Sequence, residues 1–89
     1  MASSSRNLHP RQGARLVFAR FEEDGELGYQ VEIFLPGGRC ASTSLRWDAR
    51  GAPLLDPLLV DLQVETAVTK LARVLRREPR ARLVRWRKL

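Results

Sequence analysis

Residues 14–35, ARLVFARFEEDGELGYQVEIFL, decide the fold. Two alternating runs, 14–23 and 28–35, flank Asp24-Gly25, the strongest short hairpin signal because both turn positions need a positive φ that Asp and Gly tolerate. With those two residues as the turn, Phe18 faces Val31, Leu16 faces Ile33 and Arg20 lies across from Tyr29. Turn chemistry and hydrophobic alternation therefore choose the same register, and Leu35 continues the apolar face.

Outward from the hairpin, Pro36-Gly37-Gly38 makes a second connection. A two-residue Gly-Gly loop would set Val31 and Ile33 opposite Ser44 and Ser42, and a three-residue loop sets them opposite Thr43 and Ala41. The three-residue loop is preferred, with Pro at the first turn position and Gly38 as the left-handed closing residue. The third strand, 39–47, then directs Ala41, Thr43, Leu45 and Trp47 to the core. The opposite face carries Val17, Ala19, Phe21, Gln30, Glu32, Phe34, Cys40, Ser42, Ser44 and Arg46.

The stretch WDARGAPLLDP (47–57) is rich in Gly and Pro and ends in Asp56-Pro57, which reads as a helix N-cap followed by proline at the first helical position. From there Val60, Val64, Ala67, Val68, Leu71, Val74 and Leu75 fall within about 120° of one another at 100° per residue, a well-formed apolar stripe. Pro79 ends the helix near Arg77. Beyond it RARLVRWRKL (80–89) alternates loosely and is assigned a short strand. The predicted fold class is α+β: a three-stranded antiparallel meander covered on one face by one amphipathic helix, with a short C-terminal fourth strand, in the order β-β-β-α-β. Residues 1–13 are polar and poorly patterned and read as a disordered arm, leaving 14–89 as a single small domain.

Charge is distributed unevenly. Residues 70–89 hold nine Lys or Arg against one acid, Glu78, a balance of +8 that leaves the rest of the chain near −2. Such a segment attracts phosphate backbones and anionic surfaces. Arg outnumbers Lys by 14 to 2, a skew that GC-rich codons also produce. The candidate nucleic-acid-binding residues are Lys70, Arg73 and Arg77, which share about 60° of helix surface away from the apolar stripe, together with Arg80, Arg82, Arg85, Arg87 and Lys88 of the tail, which has no acidic neighbour. A solvated helix face and an edge strand guarded by Arg are the bland readings of the same residues. A separate candidate interaction face comprises Val17, Phe21, Phe34, Arg46 and Trp86, because two phenylalanines are unusual on a sheet surface turned to water. Glu32 between them works against phosphate binding there, and partial cover by Trp86 is expected.

The remaining chemistry is sparse. One cysteine, Cys40, and one histidine, His9, supply no disulfide and no soft metal-ligand set, so neither a metal nor a cofactor is expected. His9 sits in the arm beside Pro10 with nothing to orient it, and Cys40 reads as a small strand residue, so no catalytic residue is assigned and the chain is not read as an enzyme. Glu22, Glu23, Asp24 and Glu26 crowd the first turn without metal-loop spacing. No glycine-rich phosphate loop occurs. An apolar fraction of 44% argues against disorder of the domain, and no run approaches the roughly 20 apolar residues of a membrane span. The reading is a small cytoplasmic binding module with no small-molecule substrate, its partner either nucleic acid, bound with little specificity through the basic helix face and tail, or a protein or second copy, met through the open sheet face or an edge strand. The tail is short for an amphipathic membrane helix, which argues against a lipid surface.

Overall fold

The computed structural model describes residues 10–88. Residues 1–9 of the expected arm, with His9, and Leu89 at the end of the basic segment lie outside the described residues. Five strands and one helix follow in order: β1 (Ala14–Glu23), β2 (Glu26–Phe34), β3 (Cys40–Trp47), β4 (Pro53–Asp56), α1 (Leu62–Arg77) and β5 (Arg82–Arg87). The strands form one antiparallel sheet in the order β4-β3-β2-β1-β5, so the fold is α+β.

The first hairpin has the register that its turn requires. Leu16 pairs with Ile33, Phe18 with Val31 and Arg20 with Tyr29, around a two-residue turn in which Asp24 and Gly25 both have positive φ, 54° and 79°. The second hairpin pairs Val31 with Thr43 and Tyr29 with Leu45. Pro36–Gly38 forms a single 3-10 turn closed by a backbone bond from Leu35 N–H to Arg39 C=O at 2.8 Å. Thr43 is accordingly buried and its hydroxyl donates to Pro57 C=O at 2.7 Å, while Ser42 and Ser44 fall on the other face.

Two expectations are corrected. Four strands, not three, precede the helix, because 53–56 add to β3 as an edge strand that sets Leu55 against Leu45. Pro53 is tolerated there since an edge strand has one side without ladder partners. Asp56 is thereby a strand residue joined to Pro57 by a cis peptide, and the N-cap is Asp61, whose carboxylate accepts from Gln63 N–H at 2.9 Å and Val64 N–H at 3.2 Å. The second correction is to the helix face. Val60 lies before the cap and is 99% exposed, and Val74 is 38% exposed. The buried set is Val64, Ala67, Val68, Leu71, Ala72 and Leu75, a stripe rotated by about 30° that turns the small Ala72 inward. These residues form one cluster with Ala14, Leu16, Phe18, Tyr29, Val31, Ile33, Leu45 and Leu83 of the sheet.

The tail is a strand. β5 pairs antiparallel with the outer edge of β1, Leu83 facing Phe18 and Arg87 facing Ala14. A buried Tyr29 hydroxyl holds the turn that leads into it, donating to Arg80 C=O at 2.8 Å and accepting from Arg80 N–H at 3.0 Å. No helix among the described residues is long and apolar enough to cross a membrane.

Candidate nucleic-acid interface

The β1–β5 register sorts the basic tail onto two faces. Arg85 and Arg87 pair with Leu16 and Ala14, which belong to the buried cluster, so they stand on the helix side of the sheet. Arg82 and Trp86 pair with Ala19 and Arg15 and stand on the open side. Alternation along a strand forces this split, since neighbours point to opposite faces.

On the helix side a cavity of about 410 Å³ lies between α1 and β5, lined by Leu62, Gln63, Thr66, Ala67, Lys70, Arg87 and Lys88. The fold therefore brings one basic residue of the helix together with two of the tail, although they are 17 or more positions apart in sequence. Arg73 and Arg77 are exposed on the same helix, and Arg77, with Arg76, occupies its last turn, where cations complement the helix dipole. Arg80 is less available than its sequence context suggests, since its guanidinium is 3.7 Å from the Glu78 carboxylate in an exposed pair. Arg76 lies over Gly51 in the β3–β4 connection.

The edge of β5 carries a second arrangement. Ala81 C=O accepts from Arg20 N–H at 2.9 Å, so in an antiparallel ladder the carbonyls of 83 and 85 face β1 while those of 84 and 86 face outward. Those outward carbonyls are met by arginine: Arg85 donates to Val84 C=O at 2.9 Å and Arg87 to Trp86 C=O at 3.0 Å. Two guanidinium groups thus lie along the free edge.

The expected interaction residues share the open face, with different surroundings. Val17 is only 6% exposed. Phe21 lies across Gly28, where an added Cβ would sit 2.6 Å from the ring, and Arg46 stacks on it at 5.4 Å while pairing with Glu23. Phe34 is 5.3 Å from the Arg15 guanidinium, which is in turn 5.7 Å from the Trp86 ring. Trp86 remains 54% exposed. Arg15 was not singled out from the sequence, yet the first-hairpin register already places it opposite Phe34; what was missing was the β5 pairing that adds Trp86.

A further cavity, about 510 Å³ and mainly apolar, opens between Leu35, Arg39 and residues 57–61, and contains none of the predicted residues. Cys40 is an exposed free thiol, and no cluster of metal-ligating side chains occurs among the described residues. Compared with protein-family models, curated proteins and solved structures, the chain has no match in any of the three.

Proposed function

We propose that the chain is a small non-enzymatic binding module that holds nucleic acid electrostatically, with little base specificity, along the α1–β5 groove and the β5 edge. The observation that carries this reading is the convergence of Lys70, Arg87 and Lys88 on one cavity, continuous in sequence with the edge guanidinium groups of Arg85 and Arg87. Phosphate binding needs cations held on a surface without competing carboxylates, and among the described residues Arg80 is the one cation of the helix face and tail with a side-chain carboxylate at pairing distance. Nothing in the arrangement reads base edges, so affinity without sequence recognition follows. Arg73 and Arg77 extend the positive field along the helix, and Arg82 extends it round the edge.

A protein or second copy added to either sheet edge has less support. The outward carbonyls of β5 already accept from its own arginines, and β4 is four residues long and begins with Pro53. A cytoplasmic setting fits a chain with one unpaired thiol.

The test is a fluorescence-anisotropy titration of labelled duplex over a series of salt concentrations, with wild type and with Arg82, Arg85 and Arg87 all replaced by Gln. The expected result is a general loss of affinity and a log affinity against log salt slope smaller by about two to three, at roughly 0.9 per lost phosphate contact. Wild-type protein that binds neither duplex nor single strand at low salt, where the electrostatic contribution is largest, refutes the reading.

A further inference from the structure

We propose that Trp86, backed by Arg15 and Phe34, is a base-stacking platform, and that the ligand of the β5 edge is single-stranded nucleic acid. The inference rests on the nucleic-acid reading above and names the form of the ligand.

Of the aromatic side chains on the open face, two are committed to internal contacts: Phe21 covers Gly28 beneath Arg46, and Phe34 holds Arg15. Trp86 differs. Its ring takes the Arg15 guanidinium at 5.7 Å and is otherwise more than half exposed, on a strand whose outer edge has no neighbouring strand among the described residues. An exposed indole costs water contact, and a cation over one face fixes its orientation without covering it. A base stacks on such a ring whatever its identity, because every base presents a π-face. A paired base inside a duplex does not present that face to a side chain. Single strands do.

Charge complementarity supports the same occupant. Arg82 is on the same face of β5 four residues from Trp86, about 13 Å along the strand, so a stacked base is flanked by a cation for the neighbouring phosphates. Arg85 and Arg87 lie on the edge between the two faces, where a backbone that crosses from the platform to the groove must pass. Of the open-face carboxylates, Glu32, facing Val17, is the nearest to Trp86 by register, and β2 stands two strands away from β5. That is about 10 Å, close to the screening length at physiological salt, so its repulsion at Trp86 is weak.

The experiment follows tryptophan emission and anisotropy during titration with an oligothymidine of about 15 nucleotides, within the range that compact single-strand binders occupy, and with a duplex of equal length. Wild type, Trp86→Phe and Trp86→Leu are compared, with circular dichroism as the control for folding. Oligothymidine should quench the Trp86 share of wild-type emission, while Trp47, the other tryptophan, lies half-buried against Tyr29 on the helix side at 6.0 Å, away from the platform. Trp86→Leu should bind the single strand about 5- to 100-fold more weakly while Trp86→Phe keeps most of the affinity, and duplex binding should change by less than about twofold in both. Unquenched wild-type emission on saturation, or equal single-strand affinity in wild type and Trp86→Leu, overturns the platform and leaves the electrostatic reading standing. Absence of binding to either probe at low salt removes that reading too. The quenching measurement needs no variant, so it decides the matter even where Trp86→Leu fails to fold.

Discussion

Replacing Tyr29 by Phe isolates what a single hydroxyl does for the geometry of the basic edge. The ring is fully buried and touches Phe18 and Trp47 edge to face, with centroids 6.4 and 6.0 Å away, and Phe preserves those contacts without leaving a cavity. What disappears is the pair of hydrogen bonds to Arg80 C=O and N–H, which tie β2 to the turn before β5 across 51 positions of sequence. Each such bond has a net worth of about 0.5–1.5 kcal/mol, so the two together give about 1–3 kcal/mol. Arg80 is an exposed residue and water can re-solvate part of what the hydroxyl releases, which places the expected loss at about 1–2 kcal/mol. Urea unfolding followed by far-ultraviolet circular dichroism measures it. With an m-value of about 1 kcal/mol/M the midpoint should fall by about 1–2 M at unchanged m. A midpoint within about 0.3 M of wild type would refute the reasoning and show that β5 is held by its pairing with β1 and not by the turn.

Leu71→Ala should destabilise by about 2–4 kcal/mol, because Leu71 is buried within the helix stripe that packs on the sheet, and a melting temperature within a few degrees of wild type would contradict that placement. Asp61→Ala should cost about 1 kcal/mol, or about 4–8 °C in melting temperature, through loss of the two cap bonds to Gln63 and Val64. Asp56→Ala should cost clearly less in the same melting experiment, since Asp56 is an exposed strand residue; the reverse order would restore the helix start to Asp56.

The parts legible in the sequence are those fixed by local chemistry. Asp24-Gly25 admits one two-residue turn, and with Leu16, Phe18, Val31 and Ile33 alternating around it only one register buries all four. The Pro36–Gly38 loop fixed Thr43 inward by the same logic. The helix start is not legible, because Asp56-Pro57 and Asp61 offer the same capping chemistry and the choice between them depends on β3 offering 53–56 a partner, which no local pattern encodes. Val60 and Val74 belong to the expected stripe yet stay exposed for a related reason: a helical wheel defines a stripe but not which flank the sheet contacts. Of the candidate site, the chemical character of the tail was legible. Its division into groove, edge and open face was not, since that follows from the pairing of 82–87 with 14–19 and from nothing nearer in the chain.

That pairing also shapes how the protein comes into being. Ala14 and Arg87 are direct partners 73 positions apart, so the outer edge of β1 waits for nearly the whole domain to be synthesised before it is covered. At roughly 5–20 residues per second the interval lasts several seconds, during which β1 through β4 and the helix are available to fold around an open strand. Contacts of such long range are slow to close, because chain entropy must be lost before any interaction compensates it. The arginines of β5 therefore arrive together with the strand they accompany, and a chain interrupted after Pro79 would present a β1 edge without its partner strand and without the guanidinium groups that guard the outer side of β5, open to association with another copy.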